Sequence, residues 1–449
     1  MVGVWKSWYD GYVKSFHRYK VYNGQNSIEC TRYTLNMAKS VSEDWANLLM
    51  NEKVSITLDR QKEHGFVDSV LKANNFRVKS NEMEELAAGL GTTAFVARME
   101  NIPVSLSDGS VQASSGAKIK LDYVTIEHIF PLSWENGEVT ECAFTSSRTI
   151  DGKKYLYMQI HKLEDGLYII ENTLFGADNG NLTDLPVEQM RAVRGFESVP
   201  PVVRTGSANR QFVINRMNLS NNVDYTLPVG VPVFANAIDV LKGVDIAYDS
   251  YVNEFVLGKK RIMVKPAATE TLNGDPIFDP NDTTYYVLPE DVQDGDIIHE
   301  IDMSLRTAEH NQGIQDQLNL LSAKCGFGQN YYRFDAGSVT TATQVISENS
   351  TMFRTIKKHE IILESVLAEL CRIILRLGNQ YMNAGLNEDV EISIDFDDSI
   401  IEDTRTELQD MRNDVSANLM RGELYIMKKY GVSEEEAKKM MPEMRELVE

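Results

Sequence analysis

The apolar positions follow two periods that change along the chain. Leu35, Met37, Val41, Trp45, Leu48 and Leu49 recur at helical spacing, so residues 1–60 read as mainly helical. Residues 54–58 alternate apolar and polar side chains and predict a short strand. Two short helices near 66–74 and 80–90 follow, and Gly89-Leu90-Gly91 marks a turn at their exit. Between 94 and 175 the period becomes two. Ile119, Leu121, Tyr123, Thr125, Glu127 and Ile129 share one parity, against Lys120 and Asp122 on the other. Tyr155, Tyr157, Gln159 and His161 alternate with Leu156, Met158, Ile160 and Lys162. Residues 139–144 and 168–170 add strand-like pieces, and Gly137, Asp151-Gly152 and Asp165-Gly166 punctuate the run as hairpin turns do, which predicts an antiparallel sheet domain.

Residues 176–232 read as loop, with Pro200-Pro201, Asn221-Asn222, Pro228 and Pro232 breaking any pattern. A strong helix is expected over about 235–257, long enough to span roughly 33 Å. Ile238, Leu241, Val244, Tyr248, Val252 and Phe255 form its stripe, and Asp239, Asp245, Asp249 and Glu254 fall largely off it. Short strands at 261–264, 285–288 and 296–301 surround a polar loop, and a second helix over about 304–323 returns the chain. The order is therefore helix, β tip, helix. Gly326-Phe327-Gly328 breaks the chain again. Thr341 to Gln344 fits a capping box for a helix running to about 383, with Leu363, Leu367, Leu370, Ile374, Leu377 and Tyr381 on one stripe. A strand over 390–396 and a charged helical tail over 401–449 complete an α+β chain that is mainly α.

Composition narrows the function. The 449 residues suggest two to four domains. No apolar run approaches the roughly 20 residues of a membrane span, so no membrane association is expected. No signal-peptide pattern opens the chain, and its abrupt start inside an amphipathic segment leads us to expect further residues upstream. Cys30, Cys142, Cys325 and Cys371 are far apart, which argues for reduced thiols and against a zinc ribbon or a disulfide framework. The formal charge of −21 is the opposite of what a tight DNA grip needs. An acidic wall still suits DNA that must slide; simple solubility explains the charge equally well.

Enzyme chemistry finds little purchase. There is no phosphate loop of the G-x-x-x-x-G-K-[ST] type, no G-x-S-x-G elbow and no H-E-x-x-H. The seven histidines are scattered, and none pairs with another at helical spacing. Asp275, Asp279 and Asp282 lie in the loop of the β insert; their spacing is not that of a calcium loop, and a solvated turn is the plainer reading. Asp395, Asp397 and Asp398, with Glu402 and Asp403, are the most enzyme-like cluster, since carboxylates at a strand end can hold Mg²⁺. No His, Lys or phosphate loop supports them, and acids also favour a helix N-terminus. No catalytic residue, metal or cofactor is therefore expected.

Three segments resemble the portal proteins of tailed phages, in particular the group from siphophages of Gram-positive hosts. They are residues 230–249 (GVPVFANAIDVLKGVDIAYD), 341–350 (TATQVISENS) and 394–403 (IDFDDSIIED) with the tail behind it. Residues 35–39 and 45–52 look like the same group, and the short N-terminus departs from it. The resemblance implies a wing over 1–234, stem helices at 235–257 and 304–323, and a clip at 258–303. It implies a tunnel-loop region at 324–343, a long wing helix and strand over 344–400, and a crown over 401–449. It further implies a homo-oligomer, usually a dodecamer, at a capsid vertex of the virion, assembled in the host cytoplasm. Double-stranded DNA would pass through it during packaging, retention and ejection. Terminase, the major capsid and scaffolding proteins and a head-completion or neck adaptor would be its partners. Lys324, Gln329, Asn330 and Arg333 flank the glycine break and are the candidates for the DNA channel. Asn273, Asp275, Asp279 and Asp282 are the candidates for the clip docking surface. Two other readings stay open: another ring-forming tail or baseplate protein, and a metal-dependent nuclease using Asp395, Asp397 and Asp398.

Overall fold

A computed structural model of the chain describes residues 1–22, 24–105, 108–178, 180–258, 261–264, 285–287, 298–301, 304–334, 342–396, 404–417, 419–430 and 434–441. Helix outweighs strand, 43% to 27%, in keeping with an α+β chain. The first sixty residues are less helical than their pattern suggests. Helices α1 (Val2–Tyr9) and α2 (Lys14–His17) lead into a hairpin of β1 (Arg18–Tyr22) and β2 (Ser27–Thr31). Tyr19 and Val21 alternate with charged neighbours, and Gly24 takes a φ of 95° in the connection, so this stretch satisfies a hairpin and not a helical stripe. The expected stripe belongs to α3 (Met37–Leu49), where Val41, Trp45 and Leu49 are fully buried. β3 (Ser55–Leu58) follows as expected.

The next two helices are longer than their sequence signals. α4 (Gln61–Ala73) and α5 (Phe76–Leu90) meet at Asn74-Asn75. Asn75 adopts the left-handed conformation at φ 52°, and Asn74 accepts the Leu121 amide and donates to the Ile119 carbonyl, which fixes the break. Gly91 ends α5 at φ 97°. Its backbone lies against that of Gly230, so close that a side chain at either position would strike the other's main chain. The Gly230 N–H donates to the Thr92 hydroxyl at 2.9 Å, which ties this crossing to the next strand.

The region of period two forms two antiparallel sheets instead of one. β4 (Thr92–Glu100) and β5 (Lys118–Thr125) belong to the first. β6 (Ile129–Glu135), β7 (Glu138–Ile150), β8 (Lys153–Glu164), β9 (Leu167–Asp178) and β10 (Asn181–Asp184) form a meander in the second. Its turns are Asn136-Gly137, Asp151-Gly152 and Asp165-Gly166, each with two positive φ values, the geometry that matches strand twist in two-residue hairpins. After α6 (Val187–Arg191), the stretch read as loop supplies two strands. β11 (Val202–Arg204) pairs with β9, and β12 (Phe212–Arg216) completes the first sheet in the order β12-β4-β5. The sheets meet through Ala94, Val96 and Phe212 on one side and Ile129, Cys142 and Phe144 on the other. Phe212 packs edge-on to Phe144 and His161.

α7 (Ile238–Leu257) and α8 (Thr307–Lys324) flank a small sheet of β13 (Arg261–Val264), β14 (Tyr285–Val287) and β15 (Ile298–Ile301), ordered β14-β13-β15. The helix α9 (Ala342–Met382) follows, and its expected stripe from Leu363 to Tyr381 is buried. It is the axis of the main core, joined by α3, α4, α7 and α8. β16 (Ile392–Asp395) pairs antiparallel with β3, Ile394 opposite Ile56, and so closes the late part of the chain onto the early part. α10 (Thr404–Ser416), α11 (Gly422–Tyr430) and α12 (Glu434–Met440) form the tail.

Candidate channel and docking elements

The helical pair α7/α8 is built to pack closely. Leu241, Val244, Ile314, Leu318 and Leu321 are buried between the pair and the main core. Gly243 leaves room for Gln317, which a side chain there would strike. At the far end Glu254 holds Arg306 through both carboxylate oxygens, at 3.1 and 2.9 Å from the guanidinium, and also lies 3.4 Å from His310. These contacts lower the Glu254 carboxyl to about 2, so the clamp across the base of the β insert stays charged. Tyr251 meets Phe255, His310 and Phe334 edge-on beside it.

The acidic side of α7 is not simply left for solvent. Asp245 and Asp249 are 3% and 7% exposed, because the N-terminal segment lies over them. Asp245 accepts the Leu35 amide at 3.0 Å and sits 3.1 Å from His17 Nε2. Asp249 accepts the Tyr33 amide at 3.0 Å. Buried carboxylates are tolerated where fixed donors replace water, and here the donors are the backbone after β2. Asp239 remains exposed, paired with Lys242.

The glycine break after α8 folds back onto the body. Gly326 and Gly328 take φ values of 91° and 92°, which lets Phe327 turn inward. Phe327 stacks on Trp45 at 4.8 Å and on Tyr331 at 4.3 Å. The Trp45 indole N–H donates to the Cys325 carbonyl, and the Tyr332 hydroxyl donates to Asp44 at 2.7 Å. Burial pushes the Cys325 thiol up to about 12, so it is an inert packed group. Gln315 on α8 then grips the returning chain by both ends of its amide, donating to the Tyr332 carbonyl at 2.8 Å and accepting the Phe334 N–H at 2.7 Å.

Of the proposed channel residues, Lys324 is exposed in the last turn of α8, Gln329 and Arg333 are exposed, and Asn330 is half-buried at φ 63°. Arg333 donates to the Asn330 carbonyl at 3.3 Å. All four therefore lie on a pinned stretch that leads toward α9. Asn273, Asp275, Asp279 and Asp282 fall outside the described residues. So do Asp397, Asp398, Glu402, Asp403 and the expected cap Thr341, although α9 begins at the next residue, Ala342. Asp395 is the exposed last residue of β16, opposite Ser55. Among the described residues no three His, Cys, Asp or Glu side chains cluster as a metal site would, and no helix is long and apolar enough to cross a membrane. The pattern of apolar residues gave no signal for the roles of His17, Asp245, Asp249 or Gln315, because each acts through a partner distant in sequence.

The architecture is a mixed helix-and-sheet body carrying the α7/α8 helical pair with a small sheet between them. Residues 4–449 match the family described as phage portal protein, SPP1 Gp6-like, and the chain belongs to that family. No curated protein matches it. Membership makes the chain a phage portal protein, a capsid component of the virion concerned with DNA packaging, in a family that is structural and not enzymatic.

Proposed function

We propose that the chain is one subunit of a closed ring, a dodecamer, at the capsid vertex of a siphophage infecting a Gram-positive host. Double-stranded DNA enters and leaves through the ring. In this reading α7 and α8 are the stem, residues 258–303 the clip that docks terminase and then a neck adaptor, and residues 401–449 the crown. Residues 1–234 together with α9 and β16 form the wing, which meets capsid and scaffolding proteins. The observation that carries it is the α7/α8 pair with its clamped β insert, in a chain of the portal family. Identical helical pairs repeated about an axis make a channel wall, and a head-to-tail contact closes if the rotation per subunit divides the circle. The net charge of −21 keeps duplex DNA from adhering, since few phosphates can be neutralised.

DNA contact is assigned to Lys324, Gln329, Asn330 and Arg333, as weak sequence-independent contacts. Alanine at all four is expected to lower packaging efficiency or DNA retention while ring assembly persists, measured by nuclease-protected DNA per particle. Protection equal to the parent would move the contacts elsewhere, to the faces of α7 and α8.

A further inference from the structure

The second sheet has apolar side chains on both faces. Residues opposite each other across antiparallel strands share a face. One face carries Ile129, Phe144 and Cys142 into the core. The other carries the row Phe130, Ala143, Ile160 and Glu171, then Thr145, Met158 and Thr173, then Ser147, Leu156 and Phe175. Phe130 is 49% exposed, and Leu156, Met158, Ile160 and Phe175 belong to none of the three core clusters of described residues. An antiparallel sheet with one wet face alternates apolar and polar residues; apolar residues at both parities of β8 mean that something covers the second face.

Its size and edges say how. The strands β6 to β10 hold 48 residues, and at about 3.3 Å per residue and about 4.8 Å per strand they present a face of about 760 Å². That is close to the ~800 Å² each side of a stable protein interface buries. Edge-on addition is blocked on β6, where Pro131 lacks a donor and the register breaks twice, while β10 is only four residues long. The partner therefore lies across the face.

Charge identifies the partner. Residues 129–184 hold nine acids against four lysines and arginines. Residues 12–32 are the reverse, with four lysines and arginines against one acid, in a chain of net charge −21. The β1–β2 hairpin lies within that segment and itself carries Arg18 and Lys20 against Glu29, and its Val21, Tyr22 and Ile28 are 45%, 70% and 47% exposed. Phosphate contacts would use Arg18 and Lys20 but leave these apolar residues unused. We infer that the outer face of the second sheet receives the β1–β2 hairpin of a neighbouring copy of this chain. A ring needs two different patches on one subunit, and this apolar-basic hairpin and apolar-acidic sheet are such a pair. The inference rests on the ring reading above and names the contact.

Cys30 on the hairpin makes the test direct, since Cys142, Cys325 and Cys371 are buried. A tagged variant combining Cys30→Ser with Ile160→Cys is co-assembled with untagged wild type and treated with a short bis-maleimide. A tagged–untagged cross-link can arise only between copies. Its yield is expected to exceed by about tenfold that of a Cys30→Ser, Val78→Cys control, whose thiol lies on α5, because a held contact raises effective concentration. Leu156→Cys in place of Ile160→Cys gives a second probe should the first fail to assemble. Intact oligomers with no cross-link above control from either probe overturn the inference and leave the ring standing. Wild type that stays monomeric overturns both.

Discussion

Alanine in place of Trp45 is expected to destabilise the main core more than any other single truncation near the glycine break. Trp45 is fully buried, stacked on Phe327 and edge-on to His359 at 4.9 Å. Removing an aromatic side chain from a packed core costs about 3–5 kcal/mol. The Cys325 carbonyl also loses its donor, and a buried group left unpaired adds about 1–3 kcal/mol. The loss is measurable as a lower urea midpoint for the transition that reports the core. Because Phe327 and Tyr331 stack in series on the indole, amides of residues 325–334 should also exchange faster with solvent. Trp45→Phe keeps the stack and should recover most of the core term. A change under about 1 kcal/mol in Trp45→Ala, with unchanged exchange at 325–334, would show that the break is held by other contacts.

Glutamine in place of Glu84 is expected to stabilise the protein at alkaline pH. Glu84 is buried against the first sheet and accepts the Asn215 amide at 2.7 Å. Burial raises its carboxyl to about 7 from an ordinary 4.5, although the Asn215 hydrogen bond pulls it back. Between those values the folded chain binds more protons than the unfolded one, so stability falls as pH rises through that window. Above pH 7 the buried carboxylate costs about 3 kcal/mol, on the scale of 1.36 kcal/mol per pKa unit. The glutamine variant should be more stable by that order at pH 8 and no more stable near pH 4. The Asn215 Oδ1 is buried without a partner among the described residues, and a glutamine N–H can supply one.

Two buried histidines act in the other direction. Burial lowers His161 to about 4 and His359 to about 3, the latter with help from Lys358. Each must charge on acid unfolding, so stability falls as pH drops below the ordinary histidine value. The wild-type optimum is therefore expected at about pH 6.5, and the Glu84→Gln optimum at higher pH. Denaturant midpoints from pH 4 to 8 give both curves. Parallel curves would mean that folding does not shift the Glu84 carboxyl.

What was legible in the sequence was whatever a single element decides for itself. The stripe from Leu363 to Tyr381 marks α9 because that helix buries one side along its length. Asp151-Gly152 and Asp165-Gly166 mark hairpins because both residues need positive φ. The β insert and its two flanking helices were legible for the same reason. Pairing across distance was not. β12 looked like loop because its five residues become a strand only beside β4. The β1–β2 hairpin was hidden by the strong helical stripe of α3 next to it, despite the Asn23-Gly24 turn signal in the sequence. Asp245 and Asp249 fall off the apolar stripe of α7, and their burial was not legible because their donors, the amides of Leu35 and Tyr33, lie more than two hundred residues away. The candidate channel residues were chosen from the glycine break alone, and the packing of Phe327 onto Trp45 was not foreseen.

Imaging the assembled protein by single-particle electron microscopy tests the portal account most directly. The account predicts closed rings viewed down the axis, of constant subunit number, with a central opening wide enough for a DNA duplex and walled by α7 and α8. Monomers alone at micromolar concentration, open helical filaments, or rings whose opening is too narrow for duplex DNA would contradict it.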